Sequence, residues 1–262
     1  MSDTGIQAVE KQGGMLRNIW TVFWREFASY FLSPTAYVVI FLFTITNGIT
    51  FFVYTATFRT ETRQIDMVIQ FLFGFAPFWI LLLLIPPILT MRLFAEEKRT
   101  GTIEMLMTSP VTDFQVVMGK FAAAQAFFTL IWSTLLLNIF ILEVLGNPDW
   151  GPVFAFYIGL FALGSLFNAV GVFASACTRN QLIAAITALS GNLFLFFVQQ
   201  MRFLFAGDPE GQRFFDFISF HHHFYNEYSR GVVDLRYLVL YFSFTFLILF
   251  FSVRVLEARR WR

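Results

Sequence analysis

The sequence predicts an all-α polytopic membrane protein. It would have six transmembrane helices, an N-terminal interfacial helix, a charged helical insert on the side of the termini, and short interfacial helices on the other side. Three observations carry that expectation. Of 262 residues, 57% are hydrophobic and 13% charged, against roughly 45–50% and about 25% in a soluble domain. Apolar runs of about 20 residues recur, each long enough to cross a ~30 Å hydrocarbon layer as a helix. These runs are apolar on every face, whereas the strands of a membrane barrel alternate.

Residues 1–14 carry Asp3, Glu10 and Lys11 with no apolar core, so they read as a disordered tail and not as a cleavable signal peptide. In residues 15–33, Trp20, Phe23, Trp24, Phe27 and Phe31 recur at helical spacing beside Arg17, Arg25 and Glu26. That pattern predicts an amphipathic helix in the membrane interface. Ser33-Pro34 then opens the first span, since proline is tolerated at the first helical position.

The spans are expected at about 35–55, 72–91, 115–142, 152–176, 181–205 and 235–255, with ends uncertain by a few residues. GNPDWG (Gly146–Gly151) and CTRNQ (Cys177–Gln181) are the turns on either side of the fourth. Pro86 and Pro87 should kink or interrupt the second span and serve as a hinge. Ala155, Gly159, Ser165, Ala169, Gly171 and Ser175 allow close packing of the fourth, and Asn47, Asn138, Asn168, Asn192, Gln199 and Gln200 could hydrogen-bond between helices or line a path.

Basic residues set the expected orientation. Twelve of the eighteen, among them all three lysines (Lys11, Lys98 and Lys120), fall on the side of the termini and six on the other. Both termini and the insert Met91–Lys120 are therefore expected in the cytosol.

That insert is too polar to lie in hydrocarbon. Glu96, Glu97, Lys98 and Arg99 should extend the second span's helix into water. Ile103, Leu106, Met107 and Pro110 fall at i, i+3, i+4 and i+7, which predicts a short helix from about Gly101 to Ser109 that Pro110 stops. Glu104 would sit in its first turn, where the helix dipole favours an anion. Thr112-Asp113-Phe114-Gln115 is a capping box that restarts the chain into the third span, with Val111 and Val116 placed to staple it. Such a helix can rest on lipid or dock on a soluble partner. Its short apolar face, the lack of Trp and the acidic residues favour the partner.

The run FAEEKRTGTIEMLMTSPVTDFQVVMGKF resembles the signature region of ABC-2 type transporter permeases, and is especially similar to the gliding-motility-associated group. The tail Ser229–Trp261 resembles that group as well. The resemblance implies a single ABC-2 type transmembrane domain over residues 1–262, with a coupling helix at about 94–110 that docks on a dimer of ABC ATPase subunits. Glu96, Glu97, Arg99, Gly101, Thr102, Glu104, Leu106, Ser109 and Pro110 match the coupling segment. A second permease copy or a related permease would complete an export pathway in the bacterial cytoplasmic membrane.

Other functions find less support. No phosphate-binding loop occurs, since Gly119-Lys120 lacks a second glycine at the right spacing. ATP and Mg are thus expected on a partner subunit, and no cofactor is expected on this chain. The net charge of +1 argues against nucleic acid, and the single Cys177 excludes an internal disulfide. His221, His222 and His223, with Glu227, suggest a metal site or an intramembrane enzyme. Three consecutive histidines cannot all face one side of a helix and no cysteine stands nearby, so interfacial polar residues are the favoured reading. A membrane subunit that transmits force without transporting is the remaining alternative.

Overall fold

The computed structural model describes residues 3–57, 76–102, 111–145, 149–198, 201 and 209–260. The elements are α1 (Asp3–Phe31), α2 (Pro34–Thr57), α3 (Ala76–Thr90), α4 (Arg92–Thr100), α5 (Asp113–Ser133), α6 (Leu135–Leu145), α7 (Trp150–Cys177), α8 (Gln181–Val198), α9 (Pro209–Ile218), α10 (Phe220–Asn226), a 3₁₀ turn (Tyr228–Arg230) and α11 (Leu235–Arg260). No strand occurs among the described residues. Among the described residues, six stretches are long and apolar enough to cross a membrane: α2, α3–α4, α5–α6, α7, α8 and α11. The chain is an all-α polytopic membrane protein.

Helix α7 is the axis of the bundle. It packs on α11, α8, α3, α5, α4 and the 3₁₀ turn, and 72% of its apolar window is buried, against 22% for α2 and 17% for α8. Its small residues make this possible, as their spacing suggests. Gly159 lies under the ring of Tyr228, Gly164 under Phe128 and Gly171 under Thr90. A methyl group at any of these positions would run into that neighbouring side chain.

Helical backbone reaches back to Asp3, into the stretch expected to be a disordered tail. The residues there (Gln7, Ala8, Glu10, Lys11, Gln12) are mostly good helix formers. Farther along α1, the residues Asn18, Val22, Glu26 and Tyr30 recur every fourth position and form one face. That face runs alongside the first turns of α5, in the same direction. Asn18 Nδ2 donates to Gln115 Oε1 at 3.3 Å, Val22 sits over Gly119, Glu26 meets Lys120, and Tyr30 stacks on Phe127 at 4.7 Å. Trp20 and Trp24 point away from the protein, 62% and 57% exposed, which suits an amphipathic helix with lipid on its outer face.

Two interruptions depart from simple spans. The second span passes through Pro86 and Pro87 without a break, and its interruption falls later, at Met91. The third is interrupted at Thr134. There the hydroxyls of Ser133 and Thr134 turn back onto the carbonyls of Leu130 and Ile131, and Tyr157 Oη donates to the carbonyl of Trp132. Such bonds compete with the helix ladder and bend it.

The polar residues inside the spans divide. Asn168 Nδ2 donates to Gln125 Oε1 at 2.8 Å, and Gln125 Nε2 donates to the carbonyl of Phe161, a true interhelical pair. Asn47 instead donates to the carbonyl of Phe43 in its own helix. Asn192 is buried with neither amide atom hydrogen-bonded.

Candidate functional site

Helix α4, RLFAEEKRT, is two-faced. Leu93, Phe94, Ala95 and Lys98 are buried, while Glu96, Arg99 and Thr100 are exposed. It ends at Gly101, whose φ of 76° is left-handed, a conformation that costs any residue with a Cβ. Lys98 and Arg99 in its last turn suit the negative end of the helix dipole.

Its N-terminal end is joined to the C-terminal end of α7. Met91 offers no side-chain cap, and Ser175 supplies one from the other helix. The Ser175 Oγ accepts from the amides of Phe94 at 3.0 Å and Ala95 at 3.1 Å and donates to the carbonyl of Met91 at 3.1 Å. In return, Lys98 Nζ donates to the carbonyl of Ala176, one of the last carbonyls of α7, which lack partners within their own helix. Each helix thus caps the other.

On its other flank α4 is held by an ion-pair cluster. Lys120, at the start of α5, is 1% exposed; its Nζ donates to Glu97 Oε1 at 2.8 Å, Glu26 Oε1 at 2.9 Å and the carbonyl of Leu93 at 2.8 Å. Those three acceptors use all three ammonium protons, and the ammonium also lies 5.2 Å from the centre of the Phe94 ring. Arg25 adds contacts to Glu26 at 2.7 Å and Glu97 at 3.4 Å. Burial raises the Glu26 carboxyl, but Lys120 and Arg25 outweigh it and hold the group below its ordinary value. A last tie comes from Tyr30, whose Oη donates to the carbonyl of Leu89 at 2.9 Å while Arg92 lies over its ring.

The residues expected to contact a partner therefore separate. Glu96, Arg99, Gly101 and Thr102 are exposed, whereas Glu97 turns inward to Lys120. Glu104, Leu106, Ser109 and Pro110, with the short helix expected across them, lie outside the described residues. The capping box forms as the sequence indicates: Thr112 Oγ1 accepts from the Gln115 amide and Gln115 Oε1 from the Thr112 amide. Sequence reasoning missed Ser175, Lys98 and Lys120 as the anchors of this site. The fourfold spacing of Asn18, Val22, Glu26 and Tyr30 could have pointed to a helix partner for α1. Nothing local marks Ser175.

At the opposite end, α9, α10 and the 3₁₀ turn supply the short helices expected before the last span. They pack inward as well as along the surface. Phe224 lies against Phe78, Trp79 and Phe156, and Tyr228 fills the notch at Gly159. The three histidines diverge. His221 stacks with Tyr225, His222 Nδ1 meets Asn226, and the buried His223 pairs its Nδ1 with Tyr241 Oη at 2.6 Å and stacks on Tyr237 at 3.6 Å. Glu227 Oε1 accepts from Tyr237 Oη at 3.0 Å. Burial, and then the neighbouring His222, push the His223 imidazole down to about 3.

A comparison with curated proteins finds no match. A family model described as "ABC-2 family transporter protein" matches residues 20–227. That stretch runs from the aromatic part of α1 to just past α10 and takes in the whole charged site, while the chain from Tyr228 onward lies beyond it. The span arrangement and this match agree, and the chain belongs to the ABC-2 transporter family, as a membrane permease subunit of an ABC transporter.

Proposed function

We propose that this permease works in an exporter that moves an amphiphilic or lipid-linked substrate outward when partner ATPases push on α4 and the segment after it. The observation that carries this reading is the division of α4. One side is fastened to α1, α5 and α7, and the other presents Glu96, Arg99, Gly101 and Thr102. A force applied to the open side would be delivered to three elements of the bundle at once. The scarcity of charge in the spans suits a substrate with apolar bulk better than a small ion.

In this reading the charged end faces the cytosol of a bacterium, as its basic residues favour. A dimer of ATPases carries ATP and Mg there, and a second permease, identical or related, completes the path. The similarity to the gliding-motility-associated group belongs to the same proposal. Glu104→Arg combined with Leu106→Asp tests the docking: the expected result is loss of co-purification with the ATPase, and unchanged co-purification would overturn the reading. Substrate-stimulated ATPase activity in liposomes is expected of an exporter; its absence, with docking intact, would favour a force-transmitting subunit.

A further inference from the structure

Met91 and Ala95 stand four residues apart, so an uninterrupted helix would join the carbonyl of one to the amide of the other. The Ser175 hydroxyl stands between them, donating to the Met91 carbonyl and accepting from the Ala95 amide, and it takes the Phe94 amide as well. Met91 itself keeps helical angles, φ −53° and ψ −34°, and its own amide still reaches the carbonyl of Pro87 at 3.0 Å. The backbone is therefore not unwound; a side chain from another helix has entered its ladder, a recognised cause of a helix bend. Both partners are shaped for this. Ser175 is 0% exposed, and Gly171, one turn earlier on α7, admits Thr90 from the end of α3.

We propose that Ser175 is a wedge in the second span: its hydroxyl, set into the ladder at Met91, fixes the angle at which α4 leaves α3. Withdrawing the end of α7 from the joint lets the Met91 carbonyl and the Ala95 amide meet directly, so that α3 and α4 become one straight helix. The Met91 carbonyl and the Ala95 amide then satisfy each other, and the Phe94 amide turns to the carbonyl of Thr90, its partner in an uninterrupted helix. The relevance of this motion to transport rests on the docking reading above; the wedge itself does not.

The test uses the permease without an ATPase. Spin labels are placed at Ile80 and Thr100, both exposed, through Ile80→Cys and Thr100→Cys with Cys177→Ser removing the native cysteine. Twenty residues of straight helix span ~30 Å. Ser175→Ala is expected to move the label distance, read by pulsed electron resonance, to a longer value than in the parent, toward that limit. Ser175→Thr, which keeps a hydroxyl, is expected to retain the parental distance. Should Ser175→Ala fail to give a monodisperse protein, Ser175→Gly also lacks the hydroxyl and carries the same expectation. A hydroxyl-free variant with an unchanged or shorter distance overturns the wedge. That outcome leaves ATPase docking untouched, because docking is read separately by co-purification of the Glu104 and Leu106 variants.

Discussion

The ammonium of Lys120 lies 2.8 Å from Oε1 of Glu97, with 1% of the lysine side chain exposed and 20% of the glutamate. A residue of the α4 charge cluster is thus bound to the root of the third span. A second carboxylate, Glu26, holds the same ammonium from α1. The cluster fixes the register of three elements that lie far apart in sequence.

Removing the cation should expose how much depends on it. Lys120→Met is expected to destabilise the protein by about 3–5 kcal/mol, because two carboxylates lose their buried partner. Thermal unfolding in detergent is the measurement. Adding Glu97→Gln to Lys120→Met should recover part of the loss, since one uncompensated charge disappears with it.

At the crossing of α3 and α7, Gly171→Ala is expected to cost about 1–3 kcal/mol by overpacking. The nearest obstacle is the side chain of Thr90. Thr90→Ala in the same molecule should therefore restore much of the melting temperature. An additive double variant would count against the packing account.

Acid should weaken the opposite end of the molecule first. The His223 imidazole has a folded value of about 3, against about 6.5 unfolded. A depressed folded value means the unfolded state binds the proton more readily. The contribution of neutral His223 is then complete above pH 6.5 and drains away as pH falls toward 3, at up to about 1.4 kcal/mol per pH unit. His223→Gln is expected to flatten that part of a stability-versus-pH curve. Glu26 acts in the same direction at lower pH: its stabilisation is present above its ordinary value and lost as pH falls through the lowered one.

Gly101→Val forces a β-branched residue into a left-handed position, at about 1–2 kcal/mol. That cost falls on the exposed end of α4, far from the packed core. Reduced co-purification of the ATPase with an unchanged gel-filtration profile is the expected pair of results.

The spans and the Thr112 capping box were legible in the sequence because their signals are local: sustained apolarity for the spans, two side chains three residues apart for the box. The clash-sensitive glycines of α7 were legible as a stripe, though not their occupants. Ser175 reads as one more small residue until α4 is placed against it. Lys120 reads as the end of a soluble insert, yet it is buried, because its acceptors come from residues 26, 93 and 97. His223 is similar: its neighbours do not reveal that Tyr237 and Tyr241, on the last span, enclose it. The interruption at Met91 was not legible, because the hydroxyl that enters there comes from another helix.

The central place of α7 has a consequence for how the protein is made. Its most extensive neighbour is α11, which is synthesised well after it. Until α11 arrives, the groove it will fill on α7 can be closed only by lipid or by an insertion factor. The α7–α11 contact therefore forms by docking between helices already in the bilayer, and chains truncated before Leu235 are expected to be handed to membrane proteases rather than to assemble.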